Sequence, residues 1–396
     1  MDRTIVYVAM SGGVDSSVAA ALLGQRGFEV RGVFMRYWGD VDGLVPGGKD
    51  FTNCCNLDAM NDAQRVCDHL GIPLTVMDLR EQFRQNVVKP FLVGYESGLT
   101  PNPCVECNRT IKFELIDRIL SEAAEAEKES IYFATGHYVR NFQFPIPNSQ
   151  FRQRLFVAQD PHKDQSYFLY TLTQEKLKRL LFPIGEFAKP QVRTLAQEME
   201  LPVALKKESQ EVCFIKNNVQ EFLQSRIRQQ SEGVVVTTTG EEIGRHRGLA
   251  FYTIGQREGL GLGGGGPYYV AQKDYVTNTL VVSIGAEDKT LFARTVILSK
   301  VNWLSGQPPP EPIRVIAKPR YRHPGATAVV SGSRGQSPPG RGPAEAGVPG
   351  ASAQTIICTF DQPERALTSG QSVVFYQDTA EGLELLGGGI IEMVER

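Results

Sequence analysis

Up to about residue 205, short apolar runs alternate with stretches of helical period. IVYVA, Ile5 to Ala9, is followed by SVAAALLGQRG, EVRGVFMRYW by DAMNDAQRVCDHLG, and PLTVMDL by FRQNVVKPFLVGYESG. FELIDRILSEAAEAEK then precedes IYFATGHY. Strands alternating with helices of this length predict an α/β fold with a doubly wound parallel sheet, whose ligands bind beyond the carboxyl ends of the strands. Two further helical patterns, TQEKLKRLLFPIG and KPQVRTLAQEMEL, close this half, the second with Pro190 in its first turn.

The texture changes after KKESQEVCFI. From about Gly233 the chain is rich in Val, Thr, Tyr and Gly, and GVVVTTTGEEIG and YYVAQKDYVTNTLVVS predict short antiparallel strands. From about residue 286, TVILSKVNWL, PIRVIAKPRYRH, QTIICTF and QSVVFYQ predict a small β barrel or sandwich. The expected organisation is a parallel-sheet domain over 1–208, a central domain over 209–285 and a C-terminal β barrel over 286–396. Within the barrel, Ser331 to Gln354 is too poor in large apolar groups to join a core and is expected to be a flexible insertion between two strands.

A chain of 396 residues with 41% hydrophobic content can build two or three real cores. It has no run of about 18 apolar residues, and a strand begins by Ile5, so the expected setting is cytoplasmic, with no membrane partner. Seven cysteines in a chain this long do not resemble a secreted disulfide framework and point to metal or redox chemistry instead. The net charge of −2 decides nothing about nucleic acid, because a local basic face suffices to bind it.

MSGGVDSSVAA, from Met10, places a glycine-rich turn between a strand and a helix, where free backbone N–H groups and the helix dipole attract an anion. Gly12 and Gly13 let the backbone approach phosphate, and Ser11, Ser16 and Ser17 add hydroxyls. Asp15 would repel such a ligand unless it binds a magnesium ion that bridges the phosphates. The Walker pattern GxxxxGK[ST] is absent, so the loop suits a magnesium-pyrophosphate unit better than γ-phosphate transfer.

Cys104 and Cys107 in TPNPCVECN lie by a helix N-terminus that should lower a thiol pKa, and Cys213 beside Lys206 and Lys207 should likewise favour a thiolate. A structural zinc site normally wants four protein ligands, and a second CxxC is missing. Cys67 and Cys358 suit buried thiols, and the adjacent Cys54 and Cys55 receive no role. GLGLGGGGP follows no strand–helix unit and is not expected to bind a dinucleotide.

SGGVDS resembles the signature of the PP-loop ATP pyrophosphatases, which split ATP between the α and β phosphates and transfer AMP to a carbonyl oxygen. MSGGVDSSVAA, TPNPCVECN, ATGHY, KDQSYFLY, KKESQEVCFI, FYTIGQREGLG and PRYRH, in this order along nearly the whole chain, closely resemble the tRNA-specific 2-thiouridylases. The resemblance implies ATP-dependent exchange of oxygen for sulfur at C2 of wobble uridine 34 in tRNAs for Lys, Glu and Gln, with ATP and Mg2+ as cofactors. Its implied partners are tRNA and a sulfur-donor protein. It assigns ATP contacts to Ala9, Met10, Ser11, Gly12, Gly13, Val14, Asp15, Ser16, Met35 and Gly136. Cys107 matches the nucleophile and Cys213 the persulfide carrier, while Asn102, Pro103 and Cys104 would face the target base. Lys163, Asp164, Gln165, His137, Arg320, Tyr321 and Gln371 would touch tRNA.

Cys104 stands where many members of that family have aspartate, in the pattern NPDxxCN. With Cys107 and Cys213 it could hold three irons of a [4Fe-4S] cluster whose fourth iron binds hydrosulfide. The persulfide route, which ends in a Cys107–Cys213 disulfide, stands beside it. Other readings are an amidating PP-loop ligase, thiolation at another tRNA position, and a noncatalytic RNA-binding module.

Overall fold

In the first strand, β1 (Ile5–Met10), Ile5, Val6, Val8 and Met10 are buried and Tyr7 and Ala9 partly so, as suits a strand covered on both faces. It pairs in parallel with β2 (Glu29–Arg36) and, on its other side, with β4 (Ile131–Ala134). β3 (Leu74–Asp78) extends the sheet beyond β2, and β7 (Leu180–Leu181) extends it beyond β4, giving the order β3-β2-β1-β4-β7. The chain therefore winds outward from β1 in one direction and later returns to build in the other. That reversal opens a crevice at the carboxyl ends of β1 and β4.

The computed structural model describes residues 4–37, 57–114, 116–119, 121, 131–146, 150–208, 212–215, 218–227, 231–333 and 355–396. Cys54 and Cys55 lie outside the described residues, as do residues 334–354 of the expected insertion. That segment is flanked by β14 (Ala326–Ser333) and β15 (Thr355–Arg365).

Helix α1 (Val14–Gln25) covers the sheet after β1, and α2 (Leu57–Leu70) precedes β3. The expected helix after β3 has an interruption: Arg84–Val88 is a π-helical turn, and α3 (Lys89–Glu96) follows with Pro90 in its first turn. A proline has no N–H for the helix ladder and its ring crowds the carbonyl four residues back, which the wider π turn accommodates. TQEKLKRLLFPIG is not one helix. It folds as a single turn, Gln174–Leu177, and then as β7, because pairing of Leu180 and Leu181 with β4 overrides the local helical preference.

A hairpin that the sequence reading missed, β5 (Arg140–Ile146) with β6 (Gln150–Phe156), leaves the first domain and joins the C-terminal sheet. There β6 pairs with β17 (Gly382–Glu395), and Arg154 forms an ion pair with Glu384. In the central region β8 (Gly233–Thr237) pairs antiparallel with β9 (Glu242–His246), as β10 (Tyr268–Asp274) does with β11 (Thr279–Ile284). The expectation of purely antiparallel strands fails at their junction, where β11 and β8 are parallel.

Six strands form the C-terminal barrel: β12 (Phe292–Trp303), β15, β14, β13 (Ile313–Lys318), β16 (Ser372–Thr379) and β17. Pairing of β12 with β17 closes it, so the six leave no free edge between them. Val296, Val315, Ala328, Phe360 and Val373 fill the inside, and Trp303 stacks on Phe375 at 5.4 Å. The observed architecture is thus the expected α/β parallel sheet, a central small domain and a closed barrel.

Candidate active site

The loop after β1 is folded by its own hydroxyls. Ser16 Oγ and Ser17 Oγ donate to Gly13 O at 3.1 and 2.8 Å, and Ser16 Oγ accepts from Ser11 N at 3.2 Å. Gly12 has φ of +69°, and a Cβ there would lie 2.1 Å from Ala59 O, so both backbone and space demand glycine. A Cβ on Gly136 would lie 2.7 Å from Ser16 N, so only glycine lets the chain after β4 pack this closely against the start of α1. Ala9, Met10, Val14 and Met35 complete the neighbourhood from β1, α1 and the end of β2, and Met35 Sδ accepts from Tyr37 Oη at 3.0 Å.

The lysine absent from the loop motif comes from elsewhere in the chain. Helix α5 is Lys189–Glu198, with α4 being Pro103–Cys107, and α5 packs on α1 through Val192, Ala196, Val18 and Leu22. This packing places Lys189 Nζ 2.6 Å from Asp15 Oδ1 and 3.0 Å from Glu208 Oε1. Tyr138 Oη also donates to Asp15 Oδ1, at 2.7 Å, and burial together with Asp15 pushes that phenol upward. Lys206 Nζ donates to Gly12 O at 2.8 Å and pairs with Asp62 on α2. Burial works to raise the Asp62 carboxyl, but Lys206 and Arg65 outweigh it and hold it low. Lys189, Tyr138, Asp62 and Glu208 at the loop escaped the sequence reading, and Lys206 was read as a partner of Cys213 instead, because only tertiary packing brings these residues to the loop.

The cysteine motif departs from expectation in its electrostatics. Asn102 caps α4, its Oδ1 accepting from Cys104 N at 3.1 Å and Val105 N at 3.3 Å, and Pro103 opens the helix. Cys104 lies in the first turn, yet its thiol is pushed up to about 11, first by burial and then by nearby Cys213, against a smaller opposing effect of Lys112. The expected lowering by the helix N-terminus is overturned, since desolvation of a thiolate outweighs the helix dipole. Cys107 lies one turn further in, and the helical backbone continues past it through the π-helical turn Asn108–Lys112.

Cys213 is carried into this region by its neighbour. The Phe214 ring packs within 5.6 Å of Phe83, Phe91 and Phe222, holding the segment against α3 and α6 (Val219–Arg226). Lys206 does not serve Cys213, because its ammonium is engaged by Gly12 and Asp62. Cys67, Cys104 and Cys358 are free thiols. Cys67 and Cys358 are fully buried, with thiols pushed up to about 11 and about 12 chiefly by burial. Among the described residues no three His, Cys, Asp or Glu side chains gather closely enough to hold a metal ion. The [4Fe-4S] alternative at Cys104, Cys107 and Cys213 therefore gains no support from the arrangement of these side chains.

The residues expected to face tRNA divide into two groups. Asp164 is buried, and its carboxylate accepts from Ala158 N, Ser166 N and Ser166 Oγ, so it orders the turn that carries Lys163 and Gln165. Gln165 is bonded through both backbone and side chain to Tyr138, and Lys163 pairs with Glu208. His137 Nδ1 lies 2.7 Å from Thr135 Oγ1, and burial, with Lys112, pulls its pKa down to about 3. From the barrel, Tyr321 packs on Phe168 at 4.4 Å, and Arg320 is exposed while donating to Arg365 O at 3.0 Å. Gln371 Nε2 donates to Thr100 O at 2.7 Å, two residues before the Asn102 cap, while Tyr167 Oη donates to Ser372 O at 2.8 Å. The barrel thus grips the segment that presents the cysteine helix.

Three domain families match the chain in succession: the tRNA methyl transferase HUP domain over residues 4–217, its PRC-barrel domain over 220–284, and the aminomethyltransferase beta-barrel domain over 340–391. The chain is 42% identical over 392 residues to the tRNA-specific 2-thiouridylase MnmA of Carboxydothermus hydrogenoformans, covering 98% of each. It is 40% identical to the protein of that name from Pseudomonas fluorescens and 39% identical to that from Yersinia pestis, covering 98% of this chain and 95% of each relative. With the loop, the cysteine helix and the barrel in place, the chain belongs to the tRNA-specific 2-thiouridylase family.

Proposed function

We propose that this protein uses ATP to activate C2 of wobble uridine 34 in the tRNAs for Lys, Glu and Gln and replaces its oxygen with sulfur. The observation that carries the reading is the joining of a phosphate loop, completed by Lys189 and Lys206, to a cysteine helix in one parallel-sheet domain. In this reading ATP lies along the loop from Ala9 to Ser16, with Met35 and Gly136 beside it. Both bonds to Asp15 fall on Oδ1, which leaves Oδ2 to hold Mg2+ or its water. Mg2+ would supply charge neutralisation of the departing pyrophosphate.

The uridine O2 attacks the α phosphate and pyrophosphate leaves, making the oxygen a good leaving group. A persulfide on Cys213 then adds its terminal sulfur to C2, and AMP departs with the oxygen. Cys107 attacks the Cys213 sulfur, freeing the thiolated base and leaving a Cys107–Cys213 disulfide that an external thiol must reduce. A sulfur-donor protein must reload Cys213 in each cycle. Asn102, Pro103 and Cys104 would meet the base, where Cys104 acts as a neutral thiol in place of the carboxyl group many relatives carry. Lys163, Gln165, His137, Arg320, Tyr321 and Gln371 would position the RNA directly or through their neighbours.

The test is mass spectrometry of tRNA from cells lacking the protein, complemented with wild type or Cys213→Ala. Wild type should restore 2-thiouridine and the variant should not. Restoration by the alanine variant would overturn the sulfur role of Cys213.

A further inference from the structure

Glu208 holds more positive charge than an ion pair needs. Its Oε1 lies 3.0 Å from Lys189 Nζ and 3.4 Å from an Arg193 Nη, and its Oε2 accepts from Lys163 Nζ. Lys189 and Arg193 lie four positions apart on α5, so both reach the same side of that helix. Lys189 is buried and already has a carboxylate partner in Asp15 at 2.6 Å. Its ammonium therefore bridges the phosphate loop on one side to Glu208 on the other. Lys163 and Arg193 are each about one-third exposed, at 33% and 34%, so this cluster opens to solvent. Burial works against ionisation of Glu208, but the bonds from Lys163 and Lys189 dominate and hold its carboxyl at about 2.

Three cations converging on one carboxylate, one ammonium away from a glycine-rich anion loop, form the surroundings expected for a phosphate group. We propose that Glu208 is an internal competitor for phosphate: its carboxylate occupies Lys163, Lys189 and Arg193 until a magnesium-bound polyphosphate displaces it, and it returns to them as pyrophosphate departs. The proposal rests on the nucleotide reading of the loop. Glu208 is thus a positioning residue that sets nucleotide affinity and product release without touching the reacting atoms.

The experiment is calorimetric titration of the full-length protein with magnesium pyrophosphate, comparing wild type, Glu208→Gln and Glu208→Asp. Removing the competing charge should tighten pyrophosphate binding about tenfold in Glu208→Gln. In turnover, that variant should lose more of its steady-state rate than of the rate of a single round of AMP formation. Glu208→Asp, with the charge but a shorter reach, should fall between. Unchanged or weaker binding by Glu208→Gln would overturn the proposal and leave Glu208 as an organiser of the cations. No binding by wild type would overturn the nucleotide reading itself. Should Glu208→Gln fail to fold, trypsin cleavage of wild type after Lys206 and Lys207 decides: it should rise several-fold on adding magnesium pyrophosphate, and an unchanged rate overturns the proposal.

Discussion

Lys189 Nζ lies 2.6 Å from Asp15 Oδ1, joining residues 174 positions apart, and this contact completes a phosphate loop that has no lysine of its own. Lys189→Ala should lower tRNA-dependent AMP formation by about 10²-fold or more, the scale seen when one charge-stabilising group is removed. The fold should lose about 1–3 kcal/mol, less than a fully buried pair would, because Asp15 is partly solvated. Steady-state AMP production and a denaturant melt read the two effects separately.

At Gly12 a side chain is excluded twice, by φ of +69° and by Ala59 O at 2.1 Å from the would-be Cβ. Gly12→Ala should cost about 1–3 kcal/mol in strain and shift the loop enough to abolish ATP binding. Fluorescent ATP-analogue binding checks it, and near-wild-type affinity would show that the loop does not approach phosphate.

Much of this was legible beforehand. The apolar spacing of Ile5–Met10 and the glycines after it marked the central strand and its loop, since both are local signals. The order of motifs marked the family. Lys189 was not legible, because a lysine on a helix face looks like any solvated lysine until α5 is seen packed on α1, and Lys206, read as a neighbour of Cys213, turns out to serve Gly12 and Asp62. β7 was hidden inside a helical pattern, as two residues paired at a sheet edge leave no periodicity to read. The thiol prediction for Cys104 failed for a related reason: the helix start is visible in sequence, whereas the burial that outweighs it is not.

Phe214 anchors Cys213 among Phe83, Phe91 and Phe222 and is only 2% exposed. Phe214→Ala should therefore cost about 3–5 kcal/mol if the whole domain feels the cavity, and less if only this segment loosens. Thiolation should fall by at least tenfold while ATP binding persists. Loss of both together, at a temperature where the variant is folded, would contradict the assignment of Phe214 to the sulfur-bearing segment.

His137 is held neutral in the fold, at about 3 against about 6.5 in an unfolded chain. Between these values the unfolded state binds the proton and the folded state does not, so stability is full above about 6.5 and falls as pH drops toward about 3. His246 and His323 are also lowered and act in the same direction, so the contribution of His137 is read as a difference. His137→Asn should reduce the loss between pH 7 and 5 by about 1–2 kcal/mol. Identical slopes in urea melts of the two proteins would show that His137 is not held neutral in the fold.

The account centres on ATP activation being spent on sulfur insertion, and one reconstituted reaction tests this most directly. Purified protein is given magnesium ATP, tRNA for Glu, and a cysteine desulfurase with cysteine and a reducing thiol; the digested tRNA and the nucleotides are then measured by mass spectrometry. The predicted result is 2-thiouridine at position 34 with AMP and pyrophosphate formed in step with it, and neither in the absence of tRNA. ADP as the product, or AMP released at the same rate without tRNA while position 34 stays unmodified, would contradict the account.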